Sequence, residues 1–371
     1  MRTPLLAAAL ILAFTGAARA EGAVDAITGA MKRVGQSTSS EARQARLSCD
    51  RAAGAPRPRL PPPHHQGETQ WCYAYVAADL LTDKLGWPVS ALDLVLARFP
   101  KKTDRKPKPD DSIADLAAHA SPFEALEKAA ARGGVCREED VPSGPLGAAS
   151  TTQVARYRRL EALAEKASDG RKNAQWNHLD PEANGSGERC TPGYQSASDA
   201  DGIVNQLCVE HLAEARELFP NASGRDFFDA LRPAAPTDMI RSLADASCRR
   251  QPLAAPSVVQ NEVRDDAAAD GAYRDISERL REGRPVAIVL NKDALLDRQR
   301  ARRGSGHWAL LIDARWREGQ GCELLLRNSY GATCGHNGKN YDASYDCDPA
   351  LGVWLPAEVV VKTLSGYGYL R

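Results

Sequence analysis

The chain has 371 residues, and its 48 Lys and Arg balance its 48 Asp and Glu, so it carries no formal net charge. That balance argues against a basic nucleic-acid surface, and no nucleic-acid partner is expected. Past the N-terminus no apolar run reaches membrane length, so no membrane span is expected.

Met1-Arg2-Thr3-Pro4 opens the chain, an apolar stretch runs from Leu5 to Phe14, and Ala18-Arg19-Ala20 precedes Glu21. A basic start, a short apolar stretch and small residues at a cleavage point read as a secretory signal over residues 1–20. The expected location is therefore secreted or periplasmic. About 350 residues remain, enough for one large domain or two smaller ones. There are nine cysteines: Cys49, Cys72, Cys136, Cys190, Cys208, Cys248, Cys322, Cys334 and Cys347. An odd count in an exported protein predicts disulfide pairs plus one free thiol, and sequence does not choose the pairing.

Residues 21–65 form an N-terminal segment ending in a strap. Its Pro-rich run, Gly54 to His65, forces extended backbone. His64-His65 reads as surface loop, since no Cys/His pairs stand at zinc spacing, and neither a metal nor a cofactor is expected. From Cys72 apolar residues recur at helical spacing until Gly86-Trp87-Pro88 stops them, which predicts a largely buried helix. Ser90–Phe99 and Ser121–Arg132 read as two more helices, separated by a basic loop, Lys101–Pro109.

Residues 143–270 are harder to read. Helical patches lie at Gln153–Lys166, Ile203–Leu218 and Ser223–Leu231, and three cysteines lie among them. Beyond them a helix closes at Ile276–Leu280. β-branched and apolar runs then predict strands at Arg284–Leu290, His307–Ile312, Cys322–Leu326 and Gly352–Leu355. Helices first and strands last give an α+β class with segregated halves.

Three short stretches carry the chemistry. Gln66 stands six residues before Cys72 in Gln-Gly-Glu-Thr-Gln-Trp-Cys-Tyr; His307 follows Gly306; Asn328 opens Asn-Ser-Tyr-Gly. Taken alone, an exported cysteine is usually half of a disulfide, and a lone His or Asn is usually structural. Together the three resemble the papain-like cysteine proteases, as a divergent exported member of bacterial type. The resemblance implies a cysteine peptidase acting on protein or peptide substrates. Cys72 would be the nucleophile, His307 its base, Asn328 the orienter and Gln66 an oxyanion donor. It also implies a helical left domain (66–142) and a β-barrel right domain (271–371) with the site in the cleft between them. The stretch Gly133-Gly134 to Val141-Pro142 resembles a segment of the family's helical domain, and Tyr330 matches an aromatic shielding the His–Asn contact.

Departures are also present. Thr69 and Trp71 replace the residues usual before the nucleophile, and the disulfide loop of many relatives is missing. Cys72 to His307 is about a hundred residues longer than the family's roughly 130–150. Residues 143–270 are thus expected to be a disulfide-bearing insertion, either a cap beside the cleft or a decoration away from it. Other readings of the same residues are an amidase or transamidase on cell-wall peptides, and a non-catalytic binding protein. Arg298, Arg300, Arg302 and Arg303 read as a solvated loop. Oligomeric state is not indicated.

Overall fold

The computed structural model describes residue 49 and residues 58–67, 69–98, 120–144, 151–173, 199–231, 236–303, 306–331, 334–336 and 339–371. The expected signal segment, residues 54–57 of the strap and the Lys101–Pro109 loop lie outside the described residues. The chain divides into two compact units, Met1–Asp50 and Arg51–Arg371, and the elements below belong to the second.

Helix α1 is Cys72–Leu85, and ten of its residues, from Tyr73 to Thr82, are buried in an unbroken run. Buried all round, it is a core helix rather than an amphipathic surface one. It ends at Gly86, whose φ of 76° no β-carbon residue adopts cheaply and whose N–H closes on Thr82 O at 2.8 Å. Helices α2 (Ala91–Arg98) and α3 (Pro122–Ala131) pack against it. Ser121 caps α3 by accepting from Phe123 N, and Pro122 takes the first turn, where its missing N–H costs nothing.

Four further helices follow: α4 (Thr151–Asn173), α5 (Asp199–Leu218), α6 (Gly224–Ala230) and α7 (Pro236–Ser247). They pack on one another and are fastened to the α2–α3 half. The fastenings are the Cys136–Cys248 disulfide, Arg241 Nη1 to Leu96 O at 2.7 Å, and Ser247 Oγ to Asp140 O at 2.7 Å. Buried Asp93 of α2 accepts at Oδ1 from Arg132 Nη1 and Arg250 Nη1, each at 3.2 Å. Tyr157 of α4 reaches Trp71, the fully buried residue before Cys72, with ring centroids 5.8 Å apart.

The sheet has seven antiparallel strands in the order β1-β9-β2-β3-β4-β8-β7. These are β1 (Val258–Glu262), β2 (Val286–Leu290), β3 (His307–Arg317), β4 (Gly321–Arg327), β7 (Asp346–Asp348), β8 (Gly352–Pro356) and β9 (Leu364–Leu370); a two-stranded ladder pairs β5 (Gly335–His336) with β6 (Lys339–Asn340). The expected β-barrel is corrected here. The sheet stays open, with β1 and β7 at its edges, and neither edge strand finds the other to close on. β1 also shows that the 143–270 segment contributes a strand.

Alternation along the strands explains why they read as continuous apolar runs. Ala287, Leu310, Ile312 and Leu325 point to the helical core around α1. Val286, Ile288, Leu290, Ala309, Leu311, Leu324 and Leu326 point to a second core. That core is completed by α8 (Asp266–Arg281), through Ile276 and Leu280, by the short α9 (Asp293–Leu296), through Ala294 and Leu295, and by α10 (Ala357–Thr363), through Val359 and Val360. With both faces covered, period-two residues are all apolar.

Candidate active site

Cys72 is the first residue of α1, half-buried, and the free cysteine among the described residues. Burial pushes its thiol up. Backbone N–H groups of Trp308, Tyr73 and Cys72 itself oppose that shift, as does the charge of Lys292. The first-turn amides are those a helix leaves without internal partners, and they favour an anion. The Trp308 amide belongs to β3, so the sulfur sits where α1 meets the residue after His307.

His307 is buried and opens β3. Its backbone pairs with Leu290 of β2, and Gly306 before it passes so close to Leu290 that a β-carbon would stand 2.8 Å from the Leu290 carbonyl oxygen. Asn328 follows the last residue of β4, the strand paired with β3 on the other side. This puts Asn328 Oδ1 2.6 Å from His307 Nε2. An amide oxygen only accepts, so in the neutral ring Nε2 carries the proton and Nδ1 does not. Tyr330 stacks on His307, centroids 4.7 Å apart and 17° from parallel, with its hydroxyl 3.3 Å from Nδ1. With the rings stacked, that hydroxyl meets Nδ1 from the ring face. Burial, then the nearby Cys72 charge, push the Tyr330 hydroxyl well up, so it stays protonated.

Gln66 is buried, and its amide is engaged at both ends. Nε2 donates to Thr69 O at 2.8 Å, and Oε1 accepts from Ser329 Oγ. Its backbone N–H donates to Ser329 O at 2.7 Å, so Gln66 is tied to the residue after Asn328. The strap continues this pairing. His65 bridges to Tyr330, and Gly331 N donates to His64 O at 2.9 Å. Gly331 has φ of 86° and a β-carbon on it would stand 2.7 Å from the His65 ring, which explains the glycine in Asn-Ser-Tyr-Gly. His64 is buried, not the surface residue its neighbourhood predicted. Its ring packs on Tyr75, at 5.5 Å between ring centroids.

Two residues that the sequence did not single out stand around the set. Tyr341 accepts from Asn328 Nδ2 at 3.3 Å, and exposed Lys292 acts on the thiol. No spacing rule reaches either one. The arginines before His307 are largely neutralised: Arg298 by Glu358, Arg300 by Asp297 and Arg303 by Asp266. Among the described residues no cluster of three His, Cys, Asp or Glu is placed to hold a metal. A cavity of ≈ 350 Å³ lined by Pro61, His64, Pro88, Arg137, Glu138 and Pro142, among others, includes none of the four predicted site residues.

No family model matches the chain, and no curated protein matches it. Among solved structures it is similar to SERA5E from Plasmodium falciparum, at 10% identity and a TM-score of 0.36, over 84% of this chain and 89% of that one. It is also similar to the bromelain protease from Ananas comosus, solved with the E64 inhibitor, at 11% identity and a TM-score of 0.34, over 84% and 93%. Likenesses at these scores carry no argument about the chain, and the site's own geometry has to carry its reading.

Proposed function

We propose that this chain is a cysteine peptidase that uses Cys72, His307, Asn328 and Gln66. One observation carries the reading: a buried His307–Asn328 contact of 2.6 Å adjoins the backbone amide that faces the free thiol of Cys72. A nucleophile, a base and the base's orienter are what acyl transfer through sulfur requires.

The chemistry follows from that set. Cys72 gives its proton to His307 Nδ1, and the thiolate attacks the scissile carbonyl. The oxyanion is met by the Cys72 backbone N–H and by the Gln66 Nε2 hydrogen not used on Thr69. His307 then protonates the leaving amine, and the acyl-enzyme forms. A water, deprotonated by His307, releases the acid product and restores the thiol. Asn328 keeps Nε2–H fixed, so Nδ1 faces sulfur throughout.

The Cys136–Cys248 and Cys334–Cys347 disulfides fit an oxidising compartment. Among the described residues no helix is long and apolar enough to cross a membrane. The test is treatment of the purified protein with an epoxide-type cysteine-protease inhibitor and location of the adduct by mass spectrometry, with casein and peptidoglycan assayed in parallel. An adduct on Cys72 and casein cleavage are expected. Absence of the adduct, or turnover of peptidoglycan alone, rejects the peptidase reading.

A further inference from the structure

We propose that Tyr341 is a positioning residue of this site, holding Asn328 against His307, and that the Cys334–Cys347 disulfide holds Tyr341 in place. The inference rests on the peptidase reading above and adds to it a dependence on disulfide state.

Asn328 is gripped at both ends of its amide. Oδ1 meets His307 Nε2 at 2.6 Å, and Nδ2 donates to the Tyr341 hydroxyl at 3.3 Å. The terminal torsion of an Asn side chain is soft, with no sharp staggered wells of its own. Hydrogen bonds at opposite ends supply the stiffness that the torsion lacks. Without Tyr341, Nδ2 becomes a buried donor with no acceptor, and the amide is free to turn away from the imidazole.

Tyr341 sits in a loop with little regular structure to hold it. It is buried, and its backbone N–H donates to Cys334 O at 2.9 Å. Cys334 is bonded to Cys347, 13 positions on. Within the closed loop the strand pairing is the two-residue β5–β6 ladder. Tyr345, also in the loop, is anchored separately by its hydroxyl to Ala294 O at 2.7 Å. Asp342, next to Tyr341, is held from the other side, its N–H donating to Leu295 O at 2.9 Å and its carboxylate accepting from Arg298 N at 2.8 Å, so the disulfide restrains the Cys334 limb on which the Tyr341 N–H rests.

Cys334 and Cys347 are both partly exposed, so a thiol can reach either sulfur, whereas the Cys136–Cys248 bridge offers one partly exposed sulfur, Cys248, beside a fully buried Cys136. A dithiol reductant attacks one sulfur as its thiolate and forms a mixed disulfide. Its second thiol then closes on the first, expelling the remaining cysteine thiolate. Two electrons and two protons pass to Cys334 and Cys347, and the reductant leaves as its cyclic disulfide. The site thus makes opposed redox demands. Cys72 must be kept as a thiol, while Cys334 and Cys347 must stay joined. Weak reductant activates the protein and strong dithiol reductant disables it.

Iodoacetate labelling of Cys72 across pH, read by mass spectrometry, tests this without a substrate. The reagent is an anion, favoured while His307 holds its proton, so the alkaline limb of the rate profile reports the imidazolium. Tyr341→Phe and the double variant Cys334→Ser/Cys347→Ser are each expected to move that limb down by roughly half a pH unit. On a fluorogenic peptide, kcat is expected to fall about threefold to tenfold with KM nearly unchanged. Tyr345→Phe, which loosens the same loop without touching Asn328, should leave the limb in place. Increasing dithiothreitol should raise and then lower wild-type activity, with no falling phase in the double variant. An unshifted limb in Tyr341→Phe, an equal shift in Tyr345→Phe, or no falling phase in the wild type overturns the inference. A wild-type profile that His307→Ala does not alter overturns the peptidase reading, and the inference with it.

Discussion

Arg327 donates twice to the Asp79 carboxylate, from Nε to Oδ2 at 2.6 Å and from Nη2 to Oδ1 at 3.3 Å. Both side chains are largely withdrawn from solvent, at 3% and 13% exposure. Asp79 lies on α1, two turns beyond Cys72, and Arg327 directly precedes Asn328. The pair ties the helix that opens with Cys72 to the strand end that leads into Asn328. Arg327 Nη2 also donates to Pro62 O at 3.2 Å, which fixes the strap that leads to Gln66.

Removing one member leaves an uncompensated buried charge, which costs about 3–5 kcal/mol. Asp79→Ala should lower the urea midpoint by a corresponding amount. The double variant Asp79→Leu/Arg327→Met should regain much of that loss, because two apolar groups of similar size need no partner. A midpoint unmoved in Asp79→Ala would show that the pair contributes nothing in solution.

Cys72→Ala should remove peptide hydrolysis and leave the circular dichroism spectrum unchanged. Asn328→Ala should slow turnover less than His307→Ala does. Residues acting as a unit lose activity non-additively. Adding Asn328→Ala to His307→Ala should therefore cost little more than His307→Ala alone. Losses that multiply would mean Asn328 does not act through His307.

The Lys292 charge opposes the upward push of burial on the Cys72 thiol. Lys292→Ala should raise the thiol pKa further, because an opposing charge is removed. Labelling near neutral pH then slows, while the rate at high pH, where the thiol is fully ionised, stays the same. The difference should shrink in strong salt, which screens an exposed cation. A salt-independent difference would assign the effect to packing instead.

Glu138 accepts from Ser143 N at 2.6 Å and Ser143 Oγ at 2.7 Å, yet burial pushes its carboxyl up to about 8. Folded chains hold this proton in a range where unfolded chains, titrating near 4.5, release it. Stability from this group is therefore full below about 4.5 and declines as pH rises toward 8. Glu138→Gln keeps an acceptor and cannot ionise, so its melting temperature should depend less on pH between 5 and 8. Parallel slopes in the two proteins would place Glu138 outside the pH response.

The helix after Cys72 was legible because Gly86 and Pro88 end an apolar run, and the strands at 286–290 and 321–327 because both faces are covered. His307 and Asn328 were legible as motif positions, and the structure brings them into contact through the β3–β4 pairing. Other parts left no mark on the sequence. β1, Val-Val-Gln-Asn-Glu, is an edge strand with three exposed residues, so it has no apolar alternation to read. β9 holds two glycines, and α10 is only seven residues long. Openness of the sheet depends on where β1 and β7 stand, which is a matter of topology and not of composition. Tyr341 escaped notice because its role comes from a contact across a loop, not from a spacing along the chain.

Gln66 meets Ser329 across 263 positions, and Asp79 meets Arg327 across 248. A chain still being synthesised carries Cys72 early and His307 and Asn328 only near the end. A growing or truncated chain that stops short of β4 lacks the His307–Asn328 contact. Contacts this distant also make folding slow relative to chains held by local contacts. The order of residues along the polypeptide is in this way a built-in delay, and under the proposed function hydrolysis would begin only once β3 and β4 have met the first helix.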